Sequence, residues 1–430
     1  MKKIALISLG CVKNTVDSEA ILALFKKPDF EIVTKLENSD VIIINTCGFI
    51  LSAKIEGIDT ILDTLKYGKK VVVIGCLVQR YLDELKKSIP EVTMWVPFKD
   101  EYSLLPSKIQ SLFEDEKVVD KFDIFTRVTE PSFSTYIKIS EGCDNFCAFC
   151  AIPAIRGRFV SYPIEEIVNY AKKAANSGSK EIVLIGQDPT SYGKDIKDKN
   201  VNLVSLLKEL DKIENISKIR LLYLYPDGIT DELIDFIKTH KKMSHYFDIP
   251  IQHCSTKILK LMNRRDTKKT TEILFNKIKK EIPDAILRTT LIVGFPGETT
   301  KEFNELLTFI NKYKFNHLGC FTYSKEENTK AYFLPHQVRE HTKFKRKDIL
   351  MKNQAKISYE LNKDLIGRKF SAFVTKVNSE DYFVRCDYNA PDDIDGNIIL
   401  KTDKKHNVGD IVEIEITHAF VYDLIAKEIY

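Results

Sequence analysis

The sequence predicts an α/β protein of three parts: a doubly wound parallel sheet at the amino terminus, a partial (βα)6 parallel barrel in the middle, and a small antiparallel β-barrel at the carboxyl terminus. Two observations predict the first two parts. Apolar β-branched runs recur along the chain, and polar stretches with helical spacing separate them. A third observation predicts the last part, since from Ile366 onward short alternating strands replace this pattern. The 430 residues also exceed the usual size of one domain.

The amino-terminal domain is expected over residues 1–120. Residues 18–27 and 52–67 carry helical spacing, and the charged segment 114–121 marks the predicted end of the domain. Three buried strands are predicted, each a continuous apolar run of the kind found in parallel sheets: IALISLG, VIIINT and VVVIG.

The middle domain is expected over residues 130–363, where a helical run at 338–365 leads out of it. Polar, Lys-rich helical stretches separate its strands, which favours a parallel barrel with six strand–helix units. The predicted strands are STYIKIS, EIVLIG, IRLLYL, HYFDIPI, ILRTTLIV and NHLGCFTY.

The terminal barrel is expected over residues 364–430. From Ile366 onward there are 8 Lys or Arg and 12 Asp or Glu residues, a net charge of −4 against +4 for the whole chain. The predicted strands are SAFVTKV, YFVRCDY, GNIIL and IVEIEITHAFV.

Composition indicates an ordinary cytoplasmic protein. Hydrophobic residues make up 44% and charged residues 29%, and a net charge of +4 does not indicate nucleic-acid binding along the whole chain. The apolar run at residues 4–9 is short for a signal peptide and Lys13 soon follows, so a first β-strand is predicted there. No apolar run approaches the roughly 18 residues that span a bilayer. No membrane partner is expected.

The most specific motif is the segment EGCDNFCAFC, in which three of the nine cysteines have the spacing C-x3-C-x2-C. Cys143, Cys147 and Cys150 can supply three thiolates to a 4Fe–4S cluster and leave its fourth iron open for another ligand. The loop follows the strand STYIKIS, at the end of a barrel where α/β proteins place their chemistry. A structural zinc site is the alternative, but such sites usually have four protein ligands in paired C-x2-C spacings.

This spacing, with Phe149 before the third cysteine, resembles the radical S-adenosylmethionine superfamily. The resemblance implies that the open iron binds S-adenosylmethionine and that its cleavage yields a 5′-deoxyadenosyl radical. It also implies that segments after later strands line the S-adenosylmethionine pocket. Ordinary structural roles are the alternative for these segments. A Gly-rich turn is needed in any α/β fold, and His253 is explained equally well as an ordinary buried histidine. The pocket residues so implied are Gly186, Gln187, Asp188, Gln252, His253, Gly294 and Glu298.

Three further cysteines, Cys11, Cys47 and Cys76, each end an apolar run of the amino-terminal domain. In an open parallel sheet, ligands gather beyond the carboxyl ends of the strands, so three thiolates there could converge on a second metal centre. Coincidence is the alternative, because buried free cysteine is common. Cys254, Cys320 and Cys386 are interpreted as small core residues or exposed thiols.

Longer segments resemble the methylthiotransferases, and the resemblance covers essentially the whole chain, including a terminal barrel similar to the TRAM domain. One departure is Tyr162, which stands where that family often has an arginine, so any phosphate or substrate contact of that arginine is not carried over. The segments that carry the resemblance are Gly10-Cys11-Val12-Lys13-Asn14, Val16-Asp17-Ser18-Glu19, Asn45-Thr46-Cys47-Gly48-Phe49, Gly75-Cys76, Ile152-Pro153 and Arg156-Gly157.

The resemblance implies two 4Fe–4S clusters, one on each cysteine trio. It implies that S-adenosylmethionine serves both as the radical source and as the methyl donor, while the amino-terminal cluster carries the sulfur. No catalytic residue beyond the cluster ligands is implied. The protein positions the cofactors and excludes water, and the cofactors carry out the difficult steps.

The family divides between enzymes that modify an adenosine of transfer RNA and enzymes that modify an aspartate of a small-subunit ribosomal protein. The Gly-Gln-Asp segment beginning at Gly186 resembles the second branch, because the first typically has Gly-Gln-Asn there. The acidic terminal barrel favours a basic protein partner over RNA, whose binding needs positive charge. A solvated acidic surface without a partner is the alternative. Further matching segments are Leu222-Tyr223-Leu224-Tyr225-Pro226-Asp227, Asp248-Ile249-Pro250-Ile251-Gln252-His253, Ala390-Pro391, Asp395-Gly396 and Tyr422-Asp423-Leu424.

We therefore predict methylthiolation of the β-carbon of an aspartate in the twelfth small-subunit ribosomal protein. A transfer-RNA methylthiotransferase is the alternative enzyme, and an iron–sulfur scaffold without turnover is the alternative of another class. The expected partners are a basic ribosomal protein and an external one-electron reductant, and we expect a monomer.

Overall fold

The computed structural model describes residues 1–97, 102–112, 122–128, 132–378, 381–391 and 394–429. The predicted end of the amino-terminal domain at residues 114–121 lies outside these described residues.

The amino-terminal part is a five-stranded parallel sheet in the order β2-β1-β3-β4-β5, with helices beside it. The three predicted strands are confirmed, whereas β2 and β5 were not predicted because three residues are too few for a recognisable period. In chain order the elements are β1 Lys2–Ser8, α1 Val12–Ala23, β2 Phe30–Ile32, β3 Val41–Thr46, α2 Leu51–Leu65, β4 Lys70–Gly75, α3 Cys76–Ser88, β5 Met94–Val96 and α4 Leu105–Ser111.

Helix α1 corrects the prediction of a helix at residues 18–27, because it begins at Val12 and ends at Ala23. Its first turns carry Asn14 and Asp17, polar residues that local patterning assigns to a loop. Both are buried, since tertiary hydrogen bonds satisfy their side chains.

The middle part confirms the partial barrel. All six predicted strands form, and they run parallel in two adjoining sheets, β6-β9-β10 and β11-β12-β13, which a bridge between Ile219 and Met243 connects. The short strands β7 and β8 pair across the three-cysteine loop. The elements are β6 Ser134–Lys138, β7 Ser140–Glu141, α5 Ile152–Arg156, β8 Val160–Ser161, α6 Ile164–Asn176, β9 Glu181–Ile185, α7 Leu203–Asp211, β10 Lys218–Leu221, α8 Asp231–Thr239, β11 Tyr246–Asp248, α9 Thr256–Leu261, α10 Lys268–Glu281, β12 Ile286–Val293, α11 Thr300–Tyr313, β13 His317–Thr322 and α12 Glu340–Lys363.

The terminal part is a closed five-stranded barrel in the order β14-β15-β16-β18-β17. The prediction of an antiparallel barrel holds for four pairs and is wrong for one, because β16 and β18 run parallel. Strand β18 was not predicted, since its Ala-Lys-Glu end lacks a strand pattern and long-range pairing creates it. The elements are β14 Lys369–Val377, β15 Tyr382–Arg385, β16 Ile398–Lys401, β17 Ile411–Ala419 and β18 Leu424–Glu428.

A buried glutamate paired with two arginines joins the terminal barrel to the middle one. The carboxylate of Glu181, at the start of β9, accepts from Arg385 of β15 at 2.5 and 2.9 Å and from Arg220 of β10 at 3.2 Å. Burial would raise the pKa of Glu181, but the two arginines lower it to about 2. The joint therefore depends on an ionised, paired carboxylate.

We expect Glu181→Gln to lower the free energy of unfolding by about 3–5 kcal/mol, because it leaves a buried arginine without its counter-ion. The folded pKa of Glu181 lies below that of the unfolded chain, so its contribution is present above the unfolded value and is lost as the pH falls toward 2. Urea unfolding at neutral and acidic pH tests both statements. Glu281→Gln, which breaks an exposed pair with Lys238, is the matched control and should change little. A Glu181→Gln chain as stable as its parent at neutral pH would contradict the prediction.

Candidate functional site

A cavity of about 490 Å³ lies between the amino-terminal sheet and the middle barrel. Its walls contain all six cysteines that the sequence predicts as cluster ligands, three from each side. These are Cys11, Cys47, Cys76, Cys143, Cys147 and Cys150.

The amino-terminal trio lies where three neighbouring strands of the sheet end. Cys11 precedes α1, Cys47 follows β3, and Cys76 is the first residue of α3. Strands β1, β3 and β4 are adjacent, so the sheet brings the three cysteines to one edge. At Gly10 the backbone has φ of +89°, and a Cβ there would lie 2.6 Å from the Cβ of Cys47. Only glycine lets these two loops approach so closely.

Asn14 ties these strand ends together. Its amide nitrogen donates to the carbonyl oxygen of Leu9, two residues before Cys11, at 2.9 Å, and to that of Thr46, directly before Cys47, at 3.1 Å. Its amide oxygen accepts from Arg156 at 2.5 Å. One buried side chain therefore holds two of the cysteine loops and connects them to the middle barrel.

The second trio lies in the loop between β7 and α5. Asn145, inside the loop, donates to the carboxylate of Asp188 at 2.7 Å, and the N–H of Ala148 donates to the carbonyl of Met262 at 2.8 Å. Asp188 also accepts from the hydroxyls of Thr190 and Ser191. Its carboxylate therefore anchors the cysteine loop to the segment after β9.

Four buried charged side chains connect the two halves of the site: Asp17 of α1, and Lys138, Glu141 and Arg156 of the middle barrel. Asp17 accepts from Arg156 at 2.5 Å and pairs with Lys138 at 2.6 Å, while Glu141 pairs with the same two cations. Burial would raise the pKa of Glu141, but Lys138 and Arg156 lower it to about 2. We call this set the buried ion cluster.

The buried ion cluster also reaches a cysteine. A second nitrogen of Arg156 lies 3.4 Å from the sulfur of Cys76. Burial raises the pKa of Cys76 although Arg156 opposes the shift, and burial raises the pKa of Cys47 to about 11. Cys11 is the exposed cysteine of this trio. Loss of solvent around its sulfur acts in the same direction, but Lys13, Arg156 and nearby backbone N–H groups outweigh it and lower the pKa. Cys11 is therefore the thiol of this trio that ionises most easily.

Among the described residues, no group of three or more His, Cys, Asp or Glu side chains could hold a single metal ion. Each thiolate that holds a cubic cluster binds a different iron, so such ligands surround the cube rather than meet at one point. The described part of the chain also contains no helix that is long and apolar enough to cross a membrane.

Of the other predicted pocket residues, Gln187 and Gln252 line the cavity. Gln187 donates to Glu141 at 3.0 Å, and its buried amide oxygen accepts no hydrogen bond from the described residues. Gln252 has φ of +65°, a left-handed conformation that is strained for a residue with a side chain. Gly186 approaches Ser140 closely, since a Cβ there would lie 2.6 Å from its hydroxyl oxygen.

His253, Gly294 and Glu298 lie together but not in the cavity wall. Glu298 accepts from the N–H of Gly294 and from Arg346, both at 2.8 Å, and lies 3.7 Å from His253. Burial raises the pKa of Glu298 to about 7 and lowers that of His253 to about 3. His253 thus has the buried environment that the sequence left as an alternative.

The remaining positions are structural. Tyr162 packs its ring against that of Phe125 with centroids 5.5 Å apart, and Cys254, Cys320 and Cys386 are buried in the cores. The sequence singled out neither Lys138 nor Glu141. A lysine within the apolar strand STYIKIS, three residues before a glutamate, was the available signal of a buried ion pair.

Comparison with known families divides the chain as its architecture does. The model of the radical SAM superfamily matches residues 137–310, and that of the TRAM domain matches residues 366–429. Residues 3–97 match a family described as the uncharacterized protein family UPF0004.

Curated relatives match over their full length. The chain is 42% identical to the ribosomal protein uS12 methylthiotransferase RimO of Clostridioides difficile (strain 630), over 100% of this chain and 99% of that protein. It is 42% identical to the protein of the same name from Caldicellulosiruptor saccharolyticus, over 100% of both chains. The relative from Clostridium botulinum (strain Eklund 17B / Type B) is 44% identical over 98% of this chain and 97% of its own.

Solved structures share the fold at low identity. The radical S-adenosylmethionine methyltransferase TsrM from Kitasatospora setae superposes with a TM-score of 0.54 at 12% identity, over 75% of this chain and 72% of its own. The cobalamin-dependent S-adenosylmethionine radical enzyme OxsB gives 0.51 at 13% identity, over 83% of this chain and 56% of its own. These likenesses describe the fold alone.

We predict that the amino-terminal trio binds iron and that Gly10→Ala reduces the amount bound, because the new methyl group would displace the loop of Cys47. Iron analysis of the reconstituted protein, with the cysteines of the other trio replaced, measures this site by itself. Gly68→Ala is the matched control, since Gly68 also has a positive φ, of +65°, but a Cβ there meets no atom within 4 Å. Equal iron in both variants would contradict the role assigned to Gly10.

Proposed function

Because this chain belongs to the ribosomal protein uS12 methylthiotransferase family and contains a radical S-adenosylmethionine domain, we propose that it transfers a methylthio group to the β-carbon of an aspartate in uS12. The observation that carries the proposal is the single cavity that both cysteine trios line. A carbon held in that cavity is accessible to both sites, as a reaction that removes hydrogen and then adds sulfur requires.

We propose that Cys143, Cys147 and Cys150 hold the 4Fe–4S cluster that binds S-adenosylmethionine, and that the amino-terminal trio holds a second one. Each trio offers three thiolates, which fits a cluster with one iron open to another ligand. When bound, these groups supply what side chains cannot: one-electron cleavage of S-adenosylmethionine and a sulfur that can be methylated.

The side chains of the cavity position the reactants and exclude water. Phe49, Phe149 and Leu224 contribute apolar surface to its wall, which suits chemistry that water would quench. The amides of Gln187 and Gln252 face the cavity and can hydrogen-bond a polar ligand there. We assign these two amides to S-adenosylmethionine, and we assign Asp188 to holding the cysteine loop. Gly186, Gly294, His253 and Glu298 support the walls around them.

The proposal also includes an external one-electron reductant, because cleavage of S-adenosylmethionine consumes an electron that no side chain supplies. We propose that the enzyme works in the cytoplasm as a monomer. Each transfer uses two molecules of S-adenosylmethionine, one as the radical source and one as the methyl donor.

Incubation of the reconstituted protein with S-adenosylmethionine, a reductant and uS12 tests the function. We expect the mass of uS12 to rise by one methylthio group in place of one hydrogen, and fragmentation should place it on an aspartate. Transfer RNA incubated in parallel should stay unmodified. A methylthioadenosine in the RNA with unchanged uS12 would favour the alternative substrate, and no 5′-deoxyadenosine in either reaction would favour a scaffold.

Replacement of each trio by alanine separates the two clusters. We expect the triple variant of Cys143, Cys147 and Cys150 to retain about half of the iron and to form no 5′-deoxyadenosine. The triple variant of Cys11, Cys47 and Cys76 should also retain about half of the iron, but it should still cleave S-adenosylmethionine without transferring sulfur. Iron analysis and chromatography measure these outcomes. Loss of all iron in either variant would contradict two independent sites.

A further inference from the structure

The cavity contains four cationic side chains, and their partners distinguish them. Three are arginines with carboxylate partners, whereas among the described residues no carboxylate pairs with the fourth, Lys13. The arginine pairs are Arg156 with Asp17 at 2.5 Å, Arg264 with Asp266 at 3.1 Å, and Arg288 with Asp248 at 2.8 Å.

The ammonium group of Lys13 is nevertheless held in place. It lies 3.3 Å from the centroid of the Tyr223 ring, which is the geometry of a cation–π contact. Tyr223 itself has φ of +64°, and its N–H donates to Asp248 at 2.9 Å. A strained backbone that its surroundings hold in place is typical of a binding site. The ring therefore supports the cation without neutralising it.

The position of Lys13 is between the two cysteine sites. Along the chain it lies two residues after Cys11, in the first turn of α1. The tyrosine beneath it belongs to the segment after β10, where the hydroxyl of Tyr225 lies 4.0 Å from the sulfur of Cys147. A substrate carbon that must be accessible from both sites has to lie in this part of the cavity.

We propose that Lys13 binds the side-chain carboxylate of the substrate aspartate and so determines which residue is modified. The proposal rests on the proposed function, since it concerns the substrate of the same site. The carboxylate of aspartate is bonded directly to the β-carbon, so an ion pair with Lys13 positions the reacting carbon within one bond. A half-buried cation without a counter-ion gains more from such a pair than an exposed lysine does.

The methionine carboxylate of S-adenosylmethionine is the other carboxylate that enters the cavity. The two carboxylates predict different kinetics, because the KM for the peptide depends on Lys13 only if Lys13 binds the substrate aspartate.

The test compares the parent enzyme and Lys13→Met on two uS12 peptides, one with the target aspartate and one with asparagine in its place. For the parent enzyme we expect kcat/KM to be at least about 30-fold higher on the aspartate peptide, which corresponds to ~2 kcal/mol for a desolvated charge pair. Lys13→Met should lose most of this preference through a higher KM for the aspartate peptide, and Lys13→Arg should restore part of it.

Lys325→Met is the matched control, because Lys325 also lies over a tyrosine ring, that of Tyr332 at 4.4 Å, but outside the cavity. It should keep the parent's preference for aspartate. Iron content and the electron paramagnetic resonance signal of the amino-terminal cluster are measured in each variant, since Lys13 also lies near Cys11.

Three results would overturn the inference. The first is a Lys13→Met enzyme that keeps the full aspartate preference, and the second is a higher KM for S-adenosylmethionine alone. The third is loss of the amino-terminal cluster, which would make Lys13 a support for Cys11. The first two leave the proposed function intact, because the parent enzyme still modifies the aspartate peptide. A parent enzyme that modifies neither peptide would overturn the proposed function together with the inference.

Discussion

The buried ion cluster of Asp17, Lys138, Glu141 and Arg156 is the constraint on which the rest of the site depends. Taking four charges out of water is costly, and close pairing offsets that cost. Glu141 pairs with Lys138 and Arg156 within the middle barrel. Asp17 of α1 completes the pairing from the amino-terminal side. Separation of the two parts would leave Asp17 and its cations without each other. These ion pairs therefore fix the width of the cavity between the two parts, and they fix the distance between the two cysteine trios as well.

Helix α5 extends this constraint to the cysteines themselves. It begins two residues after Cys150 and ends at Arg156, whose guanidinium contacts Asp17, Asn14 and the sulfur of Cys76. This short helix thus joins the loop of one cysteine trio to a cysteine of the other. In the proposed reaction the same substrate carbon reacts first with a radical and then with sulfur, so both cysteine trios have to be placed correctly around one cavity.

Local pattern predicted the features that depend on neighbours in sequence. The six middle strands and the ends of β1, β3 and β4 follow from apolar runs, and parallel strands necessarily bring Cys11, Cys47 and Cys76 to one edge. The ion cluster was not predictable in this way, since Asp17 lies 121 positions from Lys138 and 139 from Arg156. The same holds for β18, which forms only because β16 and β17 accept it as the closing strand of the barrel.

Prediction of the pocket residues was limited by a different factor. Gln187 and His253 both follow barrel strands, yet only the first lines the cavity, because the direction of a side chain after a strand depends on the turn. The left-handed backbone of Gln252 turns its amide toward the cavity, and the next residue then points into the core, where Glu298 and Arg346 lie. Nothing in the order of amino acids distinguishes these two directions before the turn is known.

The charge of the terminal barrel has to be considered together with its contacts. Asp387 pairs with Lys218 and Asp395 with Arg288, both cations of the middle barrel, while Arg385 pairs with Glu181. These contacts neutralise two acidic residues and one basic residue of the terminal part, and the rest of its sequence carries a net charge of −3. A net negative charge repels a phosphate backbone and attracts a basic protein. We propose that the same barrel contributes to substrate choice through the sign of its field.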